Sequence, residues 1–341
     1  MKRVKLRFAD REVEFVDREV AIRQIEELAG KGTWWPLVIY GPEGCGKSAL
    51  LKQAIEVLRE YGYEVSYISP LSRSGEDRFT LTEGLRRLVT GVGSLLIGDA
   101  SRLINIAVEL LYDAVRKRLT GRIALLADDV FQAIGLDKAE LLVKGLLNMV
   151  EYPSVDYEKI VILVSSSEGI TWERIGRHRW AEIKIMWSMP KEGFRQLYEQ
   201  VPGPKPDFEQ VWRWTGGNPE MLERLYGAGW DINGIINDMI KDRKLDIMVK
   251  TLDREQVQIL RRAIEDPDVI YDEAARAMPL MDKLIENNLI IRIWYREQRV
   301  WIDQPPEKDP ELGIGTHFAW QTPMHREAVR RVLGNELERH R

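Results

Sequence analysis

Residues 41–48 read Gly-Pro-Glu-Gly-Cys-Gly-Lys-Ser and match the phosphate-binding pattern G-x-x-x-x-G-K-[ST]. Glycines allow such a loop to bring successive backbone N–H groups, and the amino-terminal end of the following helix, close to phosphate oxygens. In this pattern Lys47 would contact the β- and γ-phosphates, and the Ser48 hydroxyl would bind Mg²⁺. The residues predicted to bind a nucleoside triphosphate are Gly41, Pro42, Glu43, Gly44, Cys45, Gly46, Lys47, Ser48 and Ala49.

Two acidic residues, Asp128 and Asp129, follow the apolar run 122–127, which is typical of a buried strand. A phosphate loop needs a second site to hold the metal and direct water. We expect Asp128 to hold Mg²⁺, directly or through water, and Asp129 to orient the attacking water. A pair of solvated acids at the start of a helix is the alternative interpretation. The phosphate loop upstream favours the catalytic one.

The elements that would position these residues alternate between strands and helices. Apolar runs predict strands at 37–40, 64–68, 122–127, 160–164 and 181–186, and residues 71–82 are typical of a loop. Such alternation indicates an α/β fold with a parallel sheet. Because the carboxyl ends of parallel strands meet at one edge, the phosphate loop and the two acids should lie close together.

The pattern changes after residue 190 to short helices separated by prolines and glycines. Farther on, helical patterns precede two predicted strands, a layout that is typical of a winged helix-turn-helix. The predicted elements of this last part are helices 253–265, 272–277 and 280–288, strands 289–295 and 298–303, a strand at 316–320 and a helix at 323–333. We therefore expect a P-loop NTPase core at residues 1–189, a helical lid at 190–245 and a winged helix at 246–341.

The 341 residues are 44% hydrophobic and 30% charged, as in an ordinary globular protein. The single cysteine, Cys45, excludes a disulfide within the chain and fits a reducing compartment. The uncharged stretch 88–98 is too short to span a bilayer. The charged N-terminus lacks the apolar segment of a signal peptide. These features predict a cytoplasmic protein that does not contact membranes.

Together these motifs resemble those of the archaeal ATPases of the STAND class, which are relatives of AAA+ ATPases. The resemblance spans nearly the whole chain. It rests on Phe15-Val16-Asp17-Arg18-Glu19 (similar to the family's h-h-G-R-E motif), the phosphate loop, the two acids with Gln132, Ser165-Ser166-Ser167, Gly176-Arg177 and Gly216-Gly217-Asn218-Pro219. Two residues depart from the pattern. Asp17 stands where the family usually has Gly, and Asp129 stands where many members have Glu.

The resemblance implies an adenine nucleotide, ATP or ADP, bound with Mg²⁺. By this resemblance Val16 and Arg18 should flank the adenine, and Pro219 should pack on it from the lid. Ser166 should sense the γ-phosphate, and Arg177 should face the phosphates or a partner's site. Because Asp129 is one methylene shorter than Glu, it would position water less well, and we expect slow hydrolysis. The resemblance thus implies an ATP-dependent molecular switch.

DNA is the obvious partner of a winged helix, read by the third helix of the motif. The predicted third helix, 280–288, carries one lysine against two acids, and residues 241–341 hold 18 Lys and Arg against 19 Asp and Glu. DNA binding needs clustered basic residues, so we expect a protein-contacting or self-regulatory winged helix. A DNA-binding AAA+ protein, similar to a replication initiator or transcriptional regulator, is the main alternative. A small-molecule kinase is a weaker one.

Overall fold

The computed structural model describes residues 1–72, 75–88, 100–167, 169, 175–176, 179–293 and 295–339. The strands in these residues are β1 (Lys5–Phe8), β2 (Arg11–Glu14), β3 (Leu37–Tyr40), β4 (Glu64–Ile68), β5 (Phe79–Leu81), β6 (Arg122–Ala127), β7 (Lys159–Ser166), β8 (Glu182–Ile185), β9 (Ile290–Arg292) and β10 (Phe318–Trp320). The helices before residue 190 are α1 (Glu19–Lys31), α2 (Lys47–Glu60), α3 (Gly75–Arg78), α4 (Glu83–Leu88), α5 (Ala100–Arg116), α6 (Val130–Ile134) and α7 (Leu136–Glu151). The later helices are α8 (Lys191–Gln200), α9 (Phe208–Thr215), α10 (Pro219–Gly227), α11 (Ile232–Asp242), α12 (Leu245–Lys250), α13 (Arg254–Glu265), α14 (Val269–Asp272), α15 (Ala274–Glu286) and α16 (Pro323–Arg339). In the part of the chain described here, no helix combines the length and the apolar character needed to cross a membrane.

A six-stranded sheet forms the centre of the core, in the order β5-β4-β6-β7-β3-β8. Five of its strands are parallel, and β5 alone pairs antiparallel, with β4. The predicted α/β fold with a parallel sheet is confirmed. Strand β3, which leads into the phosphate loop, lies between β7 and β8. In register, Tyr40 faces Ser166 and Ala127 faces Val164. The ends of β3, β6 and β7 therefore meet at one edge.

Both faces of this sheet are covered by helices. Ile39 and Leu37 of β3 belong to the hydrophobic core that α1 and α2 complete. Val38, which lies between them, belongs to the core under α5 and α7. Because successive residues of a strand point to opposite faces, an apolar strand of this kind must be buried on both sides. This packing fixes the position from which the phosphate loop starts.

The helices beyond residue 190 and the elements beyond 246 share one hydrophobic core. It includes Ile236 and Met239 of α11, Leu260 of α13 and Val329 of α16. Helix α16 follows β10 in sequence and packs against α11 and α12. The predicted division at residues 189 and 245 stays a prediction, and the apolar packing is continuous across residue 245.

Several predicted elements of the C-terminal part are wrong. The predicted strand 298–303 is instead a 3₁₀ turn at Gln298–Val300. The apolar residues after it reach the edge of the main sheet, where Ile302 donates a backbone hydrogen bond to Ile185 O at 2.9 Å. Strand β9 pairs antiparallel with β10.

The predicted helices before this strand pair and the predicted loop 71–82 also differ from the structure. The predicted helices 272–277 and 280–288 are replaced by α14 and by α15, which runs through Pro279. Proline removes one N–H donor, and the apolar face of the helix compensates, with Leu280 and Leu284 fully buried. The predicted loop 71–82 contains β5, whose Phe79 and Leu81 are buried.

Candidate functional site

The phosphate loop joins β3 to α2 with a backbone that suits an anion. Gly46 precedes α2 with φ of 103°, and Gly44 has φ of 72°, values that favour glycine. The first hydrogen bond of α2 runs from Leu50 N to Gly46 O at 2.9 Å. The N–H groups of Lys47, Ser48 and Ala49 therefore have no acceptor within the helix. This is the arrangement that phosphate oxygens require.

Lys47 is a buried cation at the centre of the loop. Its side chain donates hydrogen bonds from Nζ to the carbonyl oxygens of Gly41 and Pro42, at 3.0 and 2.7 Å. No carboxylate of the described residues forms an ion pair with it. A buried lysine without a counter-charge attracts anions, because burial makes the uncompensated charge costly.

The Asp128 carboxylate is surrounded by hydroxyl donors. Its Oδ1 accepts from Ser48 Oγ at 3.1 Å and from Ser165 Oγ at 2.5 Å. Its Oδ2 accepts from Tyr67 at 2.9 Å and from Ser69 at 3.4 Å. The two residues predicted to hold Mg²⁺, Ser48 and Asp128, are therefore in direct contact. Hard oxygen ligands of this kind suit Mg²⁺ when phosphate oxygens and water complete its shell. Among the described residues, no group of three or more His, Cys, Asp and Glu side chains could hold a metal by itself.

Asp129 lies at the start of α6 and lines the cavity beside the phosphate loop. Its Oδ1 accepts a hydrogen bond from Ser167 Oγ at 3.2 Å, and its N–H donates to Ser165 Oγ at 3.0 Å. Burial raises the pKa of the Asp129 carboxyl, the neighbouring Asp128 raises it further, and Lys47 opposes the shift. Asp129 is thus placed and tuned as a candidate base.

The predicted sensor, Ser166, does not face the cavity in the structure. It is the last residue of β7, is 1% exposed and pairs with Tyr40 of β3. Its neighbour Ser167 lines the cavity and contacts Asp129. The reason is the alternation of side chains along a strand, which turns Ser165 and Ser167 to one side and Ser166 to the other. The sensor assignment therefore moves to Ser167 as a proposal.

Arg18 has a different environment from the one expected of an adenine neighbour. Its guanidinium donates from Nη1 to Asp303 Oδ2 at 2.6 Å, and from Nη2 to the carbonyl oxygens of Cys45 and Trp187, both at 2.9 Å. The buried side chain also borders the cavity. Its polar atoms hold the phosphate loop to residue 303. The preceding Asp17 has φ of 60°, which explains why a glycine would suit that position.

A cavity of about 430 Å³ lies between the phosphate loop and helices α8 and α10. The predicted adenine neighbours Val16 and Pro219 line it, together with Met189 and Leu197. The β1–β2 hairpin contributes a further wall that the sequence did not predict, with residues such as Phe8. The alternation of Val4, Leu6 and Phe8 was the available signal, but nothing in it indicated the position of the hairpin. Arg177 lies outside the described residues.

Residues from the helices after residue 190 and from the C-terminal part both contact the phosphate loop at Glu43. Asn218 Nδ2 donates to Glu43 O at 2.8 Å, and Glu43 N donates to Gln321 Oε1 at 3.1 Å. Arg243 forms an ion pair with the Glu43 carboxylate at 2.8 Å. Close to these contacts, burial raises the pKa of Glu220, and the charge of Glu43 adds to this effect. The phosphate loop is therefore contacted at Glu43 by two separate segments of the chain, one with Asn218 and Arg243 and one with Gln321.

Cys45 is a small, buried residue of the loop. It is fully buried, and its thiol lies 3.6 Å from the carbonyl oxygen of Met186. A buried thiol of this kind packs as a small apolar residue.

Comparison with solved structures agrees with the fold. The Walker-type ATPase PABY2304 of Pyrococcus abyssi has a similar fold, with 16% identity, a TM-score of 0.53 and coverage of 95% of this chain and 99% of that one. Weaker similarity links the chain to the Aeropyrum pernix ORC1 protein in complex with DNA, with 14% identity, a TM-score of 0.39 and coverage of 94% and 92%. The RuvB Holliday junction branch migration motor of Thermotoga maritima has 15% identity, a TM-score of 0.35 and coverage of 82% and 90%. No curated protein matches the sequence.

A family described as an ATPase domain predominantly from Archaea matches residues 15–225. This range includes the phosphate loop, both aspartates and Pro219. Membership implies adenine nucleotide binding and ATPase activity, typically with Mg²⁺. Since the match covers more than half of the chain, and the loop lies at the end of a parallel strand as such a domain requires, the chain belongs to this family of archaeal-type ATPase domains.

Proposed function

We propose that this ATPase is a slowly hydrolysing molecular switch of the STAND type. The bound nucleotide would set the position of a helical lid, residues 190–245, and of a C-terminal winged helix, residues 246–341, relative to the core. The observation that carries this proposal is the double attachment of Glu43, which hydrogen-bonds to Asn218 of the lid and to Gln321 of the C-terminal part. A change at the phosphate loop would reach both parts at once.

The residues of the loop fit a nucleotide with its metal ion. Lys47 and the free N–H groups at the start of α2 would bind the phosphates. Ser48 and Asp128, already 3.1 Å apart, would hold Mg²⁺, which when bound neutralises phosphate charge and polarises the phosphoryl group. Val16 and Pro219 would enclose the adenine.

Asp129 would orient the attacking water and accept its proton. The raised pKa of this carboxyl favours proton acceptance. Ser167, which donates to Asp129 at 3.2 Å, would keep the carboxylate aligned and report the state of the γ-phosphate. The reach of Asp129, one methylene shorter than Glu, supports a slow reaction.

The C-terminal part is better suited to contact protein than DNA. The end of α15 packs on the core, where Gly169 N donates to Asn288 Oδ1 at 3.0 Å. On this helix Arg276 and Lys283 are balanced by Asp282 and Glu286. DNA would require a basic recognition helix that is free to enter a groove. These features support a self-regulatory or protein-contacting role.

Nucleotide analysis and calorimetry test this proposal. The protein, purified and then denatured, should release ATP or ADP, and titration with Mg²⁺-ATP should show binding. Lys47→Ala should abolish that binding or nearly so, because the phosphates lose the cation of the loop. Lys52→Ala is a matched control, since Lys52 also lines the cavity but forms an ion pair with Asp77. Wild-type affinity in the Lys47 variant would overturn the nucleotide site.

A further inference from the structure

A second groove lies between the lid and the last helix, and it shares no lining residue with the nucleotide cavity. Its volume is about 320 Å³. Four arginines line it: Arg213 of α9, and Arg326, Arg330 and Arg331 of α16. The chain as a whole has a net charge of −4. Positive charge is therefore concentrated in this groove, although the chain as a whole is negatively charged.

Three acids, Glu265, Glu327 and Asp309, act on the four arginines of this groove, which leaves one positive charge in excess. Glu327 accepts hydrogen bonds from Arg330 and Arg331, both at 3.0 Å. Glu265 pairs with Arg330 at 3.2 Å. Arg213 is exposed and pairs with none of the described residues. The groove thus retains positive charge.

Arg326 is held beside this groove by backbone carbonyls. Its Nη1 donates to Pro310 O at 2.7 Å and its Nη2 donates to Glu311 O, while its buried Nε has no partner in the described protein. Arg326 therefore contributes a fixed positive charge at the side of the groove.

Beneath the arginines the groove is apolar. Ile236 and Met324 are each 1% exposed, and Trp214 and Ile232 are partly buried at its side. Arginine binds planar carboxylates through two parallel hydrogen bonds, which lysine cannot do. Arginines above aliphatic side chains therefore suit a chain segment that alternates carboxylates with aliphatic residues.

We propose that this groove binds an acidic segment of a partner protein, with leucine-like side chains packed against the partly exposed Trp214 and Ile232. Single-stranded nucleic acid would need successive aromatic side chains on which bases stack. Trp214 is the one aromatic residue among those that line the groove. The acidic character of the remaining chain disfavours nucleic acid further.

The groove lies next to the two residues that hydrogen-bond to the Glu43 backbone, Asn218 and Gln321. Trp214 is four residues before Asn218, and Met324 is three residues after Gln321. Between them, a Cβ added at Gly216 would lie 2.8 Å from Pro323 Cδ, so the two segments are in close contact. Binding in the groove should therefore depend on the nucleotide. This dependence rests on the proposed function, whereas binding itself does not.

Fluorescence anisotropy with a fluorescein-labelled peptide of alternating glutamate and leucine tests the groove. The wild-type protein should bind this peptide, with affinity that falls as salt rises. Arg213→Glu should weaken binding about tenfold or more. Arg261→Glu is the matched control, because Arg261 is an exposed arginine of α13 outside the groove, and it should bind as wild type. No binding, equal losses in both variants, or tighter binding of an oligothymidylate would overturn the proposal.

A second titration separates this inference from the proposed function. ADP should change the peptide affinity of the wild type about fivefold or more, and Lys47→Ala should bind peptide without responding to ADP. Equal affinities with and without ADP in the wild type would overturn the regulatory role of the groove. A protein that binds ATP in calorimetry but binds no peptide would overturn the groove and leave the switch proposal intact.

Discussion

The buried ion pair between Arg18 and Asp303 offers a direct test of how the C-terminal part is attached to the ATPase core. Arg18 Nη1 lies 2.6 Å from Asp303 Oδ2, and the two side chains are 3% and 6% exposed. Asp303→Asn removes the negative charge but keeps an acceptor oxygen of the same shape. Asparagine also tolerates the φ of 67° found here. The substitution therefore leaves a buried guanidinium without its counter-charge.

The loss of folding stability in Asp303→Asn depends on the hydrogen-bond partners that Arg18 keeps. Removing one partner of a buried ion pair costs about 3–5 kcal/mol. Arg18 keeps its hydrogen bonds to the carbonyl oxygens of Cys45 and Trp187, both 2.9 Å long. We therefore expect the lower end of the range, about 3 kcal/mol. In a chain of 341 residues the melting temperature should fall by about 4 °C.

Urea denaturation followed by circular dichroism measures this loss, and hydrogen exchange at residues 301–303 locates it. Glu158→Gln is the matched control, because Glu158 pairs with Arg122 at 2.8 Å on the surface, where such pairs contribute little. In a double-mutant cycle with Arg18→Met, the combined loss should be smaller than the sum by about 1–3 kcal/mol. A change below about 0.5 kcal/mol in Asp303→Asn would refute the buried pair and, with it, the docking of residues 301–303 on the core.

Three further outcomes are expected at the nucleotide site. Asp129→Asn should keep ATP binding and lose turnover, because it retains shape but not the charge that polarises water; a phosphate-release assay at the wild-type rate would mean that another acid acts. The raised pKa of Asp129 means that the nucleotide-free fold is most stable with this carboxyl protonated and loses stability as the pH rises through its folded pKa. Asp129→Asn should therefore melt higher than wild type at pH about 7, with a gain that shrinks toward pH about 4. Pro219→Ala should weaken ADP about threefold to tenfold through lost apolar burial and should reduce any compaction by ADP in small-angle scattering; a wild type that does not compact with ADP would contradict lid coupling.

The residues predicted to meet at the carboxyl edge of the sheet can be identified from the sequence because their signals are local. A glycine loop between an apolar run and a helical pattern, and two acids after another apolar run, each need only neighbours in the chain. The parallel sheet then brings them together, and Ser48 meets Asp128 at 3.1 Å. The resemblance implied Ser166 as the sensor, but that residue lies buried in β7, and its neighbour Ser167 lines the cavity.

The remaining features depend on contacts between distant parts of the chain. Trp301 and Ile302 have the composition of a strand, but they are buried at the edge of β8 instead of in a hairpin. The pairing of Arg18 with Asp303 joins residues 285 positions apart, and no local pattern indicates it. The β1–β2 hairpin likewise reaches the cavity through contacts with distant parts of the chain. Tertiary packing decided these cases over local propensity.

The contacts at Glu43 also set a limit on how strongly the phosphate loop alone can drive the proposed switch. Two neutral hydrogen bonds, from Asn218 and to Gln321, contribute about 1 kcal/mol each. The ion pair with Arg243 adds little, because the Glu43 side chain is 48% exposed. Breaking these contacts therefore changes an equilibrium by about 2 kcal/mol, or about 30-fold. A switch from 1:99 to 99:1 needs about 5.5 kcal/mol of differential affinity. The difference has to come from surfaces that the nucleotide itself would bring together, which in this molecule are the apolar walls formed by Val16, Met189 and Pro219. The adenine, more than the phosphates, should decide whether the lid closes.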